Sequence, residues 1–152
     1  DYIATARFIG PGWFQEDHWA IDWSSGWRDL LGDAYTLGAA REATGDAATL
    51  SFAFEGSGLR LDLRPGSAPV NVIVTLDGET LAPVTVERAG QIVVARGLSS
   101  DRHTLEVAAP AGTIVDGIIV ERTTGPDPVL LALAVLALLI LGRFIHRSSS
   151  LS

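Results

Sequence analysis

Two histidines precede the apolar C-terminal stretch of this chain, and each sits in a charged setting that suits chemistry. His103 lies in Asp101-Arg102-His103-Thr104 and His18 in Glu16-Asp17-His18. A catalytic base needs a nucleophile within reach and an acid to orient it. The sequence nominates neither for His103, which is expected to be a turn-and-strand histidine whose ring bonds the backbone. His18 suits a carboxylate metal site, but no motif of spaced ligands accompanies it. Loop carboxylates and carbonyls near Asp77, Asp101 or Asp116 suit calcium, and a structural calcium stays open although nothing specifies it. Asp62, Glu79 and Glu87 read as solvated strand and turn positions. A glycosidase would need two opposed acids in one cleft, and no feature favours such a pair. No catalytic residue, metal ligand or cofactor site is nominated, and the chain is expected not to be an enzyme.

The tryptophans are the other candidates. Trp13, Trp19, Trp23 and Trp27 all fall within 15 residues, with Arg28 beside the last. Four roles suit them. They can close one end of a small core, or form with Arg28 a partner interface of the kind Trp and Arg often anchor. They can stack on sugar rings, or touch lipid headgroups or a pigment. Spacing of four shares a face in a helix and in a strand alike. Gly26 and the Ser24-Ser25 pair weaken a helix, so extended structure with loops is expected over Trp13–Leu31, after a possible opening strand at Tyr2–Ile9.

Downstream, the elements that must position these residues read as strands. Leu50, Phe52 and Phe54 alternate with Ser51 and Ala53, and Glu55-Gly56-Ser57-Gly58 turns the chain. Leu59, Leu61 and Leu63 alternate with Arg60, Asp62 and Arg64 until Pro65-Gly66-Ser67. Val70 to Leu76 follows, then Asp77-Gly78, a strong tight-turn signal. Leu81 to Glu87, Gln91 to Ala95, His103 to Val107 and Ile114 to Glu121 complete the series. Regular short strands between turn signals predict an all-β fold, an antiparallel sandwich or barrel.

Three segments carry a resemblance: Leu50 to Leu61, Val72 to Gly78, and Gly97 to Val107. A strand ending in Phe-x-Gly-x-Gly, a strand ending in Asp-Gly, and a Gly-Leu then His-Thr-Leu strand resemble bacterial jelly-roll domains of the galactose-binding-like type. The resemblance covers about residues 19–122. It implies a jelly-roll-like β-sandwich used for sugar binding or as a non-catalytic module of a larger assembly. It carries over no binding residue, because ligand loops vary freely on such folds.

The C-terminus has a different character. Val129 to Leu141 holds only Val, Leu, Ala and Ile. A helix over 129–145 spans about 25 Å, close to the ~30 Å hydrocarbon core once Arg143 snorkels. One C-terminal transmembrane α-helix is therefore expected after a short linker at 123–128. Arg143, His146 and Arg147 would anchor it at the interface, and Ala132, Ala134 and Ala137 would offer a small face for packing against other spans. All 18 acidic residues precede Pro128, as do nine of the 11 basic residues, every one an arginine. The basic tail favours a single pass through a bacterial cell membrane, with residues 1–122 as an extracytoplasmic domain and 146–152 as a cytoplasmic tail. A chain that starts at Asp1 and holds no methionine also suits a leader removed before maturity.

Composition narrows the function. The chain has no cysteine, hence no disulfide framework and no thiolate metal site. A net charge of −7 argues against nucleic acid as a partner and against adhesion to anionic lipid. Two functions stand: a non-catalytic accessory subunit of a larger membrane protein complex, respiratory or photosynthetic, whose partners are other membrane subunits and the lipid bilayer; or, as the alternative, a membrane-anchored surface module that binds carbohydrate. The short linker and the alanine face favour the first.

Overall fold

The structure, a computed structural model, describes residues 7–122. Twelve strands occur in this order: β1 Gly12–Phe14, β2 Asp22–Trp23, β3 Trp27–Leu31, β4 Ala39–Ala43, β5 Ala48–Glu55, β6 Gly58–Pro65, β7 Val70–Leu76, β8 Glu79–Thr80, β9 Val84–Val86, β10 Gly90–Arg96, β11 Arg102–Ala109 and β12 Thr113–Glu121. They form two six-stranded antiparallel sheets. The first runs β10-β6-β12-β4-β3, with β1 also on β12; the second runs β2-β5-β11-β7-β8, with β9 also on β7. The all-β expectation holds.

Period-two alternation explains the packing. Leu50, Phe52 and Phe54 of β5, Val72 and Val74 of β7, and Leu105 and Val107 of β11 point inward from the second sheet. Leu59, Leu61 and Leu63 of β6 and Val115, Ile118 and Val120 of β12 meet them from the first. Each such side chain, fully buried, contributes about 1.5–3 kcal/mol. Ser51, Ala53, Thr104, Glu106 and Thr75 are thereby turned to the opposite, outer face of the second sheet.

The predicted Asp77-Gly78 turn is present, with φ of +51° and +82°. Left-handed angles at both positions match the right-handed twist of the β7–β8 hairpin. The predicted strand Leu81–Glu87 is shorter: only Val84–Val86 pairs, on the same side of β7 as Glu79–Thr80. Ala82-Pro83 interrupts the ladder, since proline has no N–H to donate. Of the opening strand expected at Tyr2–Ile9, the described part gives only a single parallel bridge from Ile9 to Phe54. The Trp13–Leu31 region is extended with loops, as expected, and divides into β1, β2 and β3. The transmembrane helix expected at 129–145, its Ala132, Ala134 and Ala137 face, and Arg143, His146 and Arg147 lie outside the described residues. Among the described residues no helix is long and apolar enough to cross a membrane.

Candidate functional site

The outer face of the second sheet carries a groove of about 410 Å³ that crosses its strands. Its lining includes Arg7, Asp22, Ser51, Thr75, Thr104 and Glu106. Register explains the arrangement. Asp22 pairs with Ser51, Ser51 with Glu106, and Glu106 with Thr75, so four polar side chains form one row perpendicular to the strands. At about 4.8 Å between strands the row is about 14 Å long, the reach of a short oligosaccharide. Ala20, Ala53 and Gly78 keep the floor shallow. The Arg7 guanidinium stands 3.8 Å from the Asp22 carboxylate, whereas Glu106 has no ion pair or hydrogen bond through its side chain among the described residues. Among the described residues the groove therefore presents one negative charge without an ion-pair partner.

Trp19, 61 % exposed, adjoins the groove through Arg7, which lines it. Its ring lies 5.9 Å from the guanidinium of Arg7 and stacks on His18 at 5.7 Å. His18 in turn meets Phe14 edge-on at 4.9 Å and accepts the Ala20 N–H through Nδ1 at 3.2 Å. These contacts make His18 a support for the indole. Among the described residues no three His, Asp or Glu side chains gather into a metal-binding group.

The four tryptophans do not form one cluster. Trp23 and Trp27 meet edge to face at 4.7 Å on the flank of the core, one from each sheet. Their indole N–H groups donate to the carbonyls of Glu16 (3.0 Å) and Thr49 (2.9 Å). They close the open edge of the sandwich, which is the core role among the four that the sequence allows. Trp13 lies on the outer face of the first sheet, beside Ile119. Arg28 binds Glu42 across the β3–β4 pair and is remote from the groove row.

His103 is held from both sides. Nδ1 donates to Asp77 Oδ2 at 2.7 Å, and Nε2 faces the Ser99 carbonyl at 3.1 Å with Ser99 Oγ at 3.4 Å. The trio superficially matches a nucleophile, base and acid. A carboxylate and a carbonyl only accept, however, so a hydrogen on each ring nitrogen satisfies both contacts, and Nε2 then has no lone pair to take a proton from Ser99. The hydrogen bond to Asp77 raises the His103 pKa against the opposing effect of burial. The same bond, with the Thr104 N–H at 2.8 Å, lowers that of Asp77. His103 thus bonds the backbone as expected, and in addition pins the Asp77-Gly78 turn to β11. Sequence spacing gave no hint of Asp77, which lies 26 residues away.

Asp116 is wholly buried and pairs with Arg64 while accepting the Thr36 N–H at 2.9 Å and its hydroxyl at 3.1 Å. Asp62 departs from expectation. It is partly buried, and burial followed by the nearby Asp116 charge raises its pKa. Glu79 and Glu87 are exposed, as expected.

No family model and no curated protein matches this chain. Solved structures do. A family 6 carbohydrate-binding module, studied for its binding sub-sites, superposes with a TM-score of 0.57 at 12% identity, over 78% of this chain and 98% of that one. CsCBM6-3 from Clostridium stercorarium, in complex with cellobiose, gives 0.56 at 10% identity, over 76% and 98%. The fold is shared with carbohydrate-binding modules. An exo-β-1,3-galactanase from Phanerochaete chrysosporium gives 0.54 at 18% identity over 74% of this chain, which spans only 29% of that enzyme. The jelly-roll resemblance seen in the sequence agrees with this likeness.

Proposed function

We propose that residues 7–122 form a non-catalytic module that binds a neutral carbohydrate chain in the groove of the second sheet. The observation that carries this reading is the cross-strand row of hydroxyls and carboxylates, to which the exposed indole of Trp19 is joined through Arg7. An indole face takes the C–H face of a pyranose ring. Glu106 and Asp22 accept hydrogen bonds from sugar hydroxyls, charge-assisted and so about twice as strong as neutral ones. Ser51 and Thr104 both donate and accept. The uncompensated charge at Glu106 disfavours uronic acids and sulfated glycans. The fold shared with carbohydrate-binding modules supports the carbohydrate alternative over the membrane-complex subunit, for which no described residue speaks. The apolar run 129–145 supports a membrane tether, testable by whether the full chain resists alkaline extraction from membranes. Titration calorimetry against neutral hexasaccharides tests the ligand: binding in the micromolar to millimolar range is expected, weakened at least tenfold by Trp19→Ala. Absence of binding to gluco-, xylo- and galacto-configured chains alike would refute the module.

A further inference from the structure

The opposite face of the sandwich carries a second constellation that the groove does not use. On the first sheet, Trp13 pairs with Ile119 and Ile119 with Arg60, while Gly117 pairs with Asp62 and Asp62 with Gln91. All of these side chains share the outer face. The Trp13 indole is laid over Gly117, where a Cβ would stand 2.9 Å from its Nε1 and Cζ2. Glycine at 117 is what lets the indole approach the sheet so closely, next to the strand that bears Asp62.

The polar groups here are unevenly satisfied. Arg60 is committed to Glu121 and to Gln91 Oε1 (3.1 Å), and Arg64 to Asp116 and the Ala34 carbonyl (2.6 Å). Asp62 lies between these two arginines on the strand and forms no ion pair or hydrogen bond through its side chain among the described residues. The Trp13 N–H likewise has no hydrogen-bond partner among the described residues. A carboxylate held partly out of water, its pKa raised by burial first and the Asp116 charge second, weighs against the fold at neutral pH. An acceptor with no partner among the described residues and an aromatic ring on one face match a ring of C–H groups edged with hydroxyls.

We infer that this face is a second saccharide site, built on the Trp13 indole and the Asp62 carboxylate, so that one module holds two glycan chains on opposite sheets. The inference takes its ligand class from the proposal for the groove. The site differs in its residues, its sheet and its orientation.

Titration calorimetry on the full-length chain with neutral gluco-, xylo- and galacto-configured hexasaccharides separates the two sites. Two ligands per chain are expected for one of these probes. Asp62→Asn and Gly117→Ala, which pushes the indole off the sheet, should each reduce this to one, as should Trp19→Ala; combining Trp19→Ala with Asp62→Asn should abolish binding. Asp62→Asn should also melt at or above the parent temperature at pH 7, the reverse of what a structural carboxylate would give, and so keeps the test valid if Gly117→Ala misfolds. A stoichiometry of one that Trp19→Ala abolishes overturns the second site and leaves the groove standing. A stoichiometry of one that Asp62→Asn abolishes and Trp19→Ala spares upholds this face and overturns the groove. No binding to any probe overturns both.

Discussion

Replacing Trp27 by alanine should cost the fold heavily, whereas the same change at Trp19 should leave stability almost untouched. Trp27 packs against the core, meets Trp23 edge to face and donates to the Thr49 carbonyl. Core aromatic-to-alanine changes cost about 3–5 kcal/mol. Two features place Trp27 at the lower end of that range. It is only half-buried, and the Thr49 carbonyl keeps a second donor, the Ser24 N–H at 3.0 Å, so no acceptor is orphaned. About 3 kcal/mol is expected, of which roughly 0.5–1.5 belongs to the ring pair and should appear as coupling in a Trp23/Trp27 double-mutant cycle. In a domain of this size that loss lowers the melting temperature by about 10 °C or more. Trp19 is 61 % exposed, and its ring contacts among the described residues are with His18 and Arg7, so Trp19→Ala should stay within about 0.5 kcal/mol. Urea denaturation followed by circular dichroism measures both. A Trp27→Ala loss under about 1 kcal/mol, or a Trp19→Ala loss above 2, would refute the division of the tryptophans into a core pair and a surface pair.

The His103–Asp77 pair sets a pH window. A raised His103 pKa contributes stability that is fully present below about 6.5 and fades as pH rises through the folded value, while the lowered Asp77 pKa contributes above about 3.9 and fades as pH falls. The melting temperature of the parent over that of His103→Gln should therefore be largest between about pH 4 and 6.5 and should shrink by pH 9; a flat difference would contradict the doubly donating imidazolium. Glu106→Arg should bring affinity for acidic polysaccharides such as polygalacturonate, read by affinity electrophoresis, while leaving the melting temperature unchanged. Leu61→Ala, in the wholly buried centre of β6, should cost about 2–5 kcal/mol in urea unfolding.

What the sequence made legible was local. Strands β5 and β6 follow from alternation alone, since a one-residue slip would turn every leucine and phenylalanine to solvent. The Asp77-Gly78 turn is legible because few other residue pairs tolerate its two positive φ angles. Strand β4, Ala39-Ala-Arg-Glu-Ala, was not. Its residues favour a helix, and it is extended because β3 and β12 claim its two edges. The tryptophans mislead for a related reason. Their even spacing suggests one face, but turns between them assign Trp23 and Trp27 to opposite sheets, put Trp13 on the outer face of the first sheet and leave Trp19 in the turn before β2. Asp62 looked like any solvated strand residue, because its environment comes from Asp116 and the covering of β12, more than 50 residues away in the chain. The groove row is likewise a product of long-range register, with Asp22, Ser51, Glu106 and Thr75 drawn from four strands.

Strand β12 also bears on force. It pairs with β6 along its whole length and with β4 and β1 on its other side, then leaves the sheet at Glu121. A pull applied to the chain beyond Glu121 acts along this strand, so the ladders on both flanks are loaded in shear and must give way together rather than unzip one bond at a time. A module gripping a glycan on its flat faces while held by its C-terminal end would meet tension along a strand that is paired on both sides.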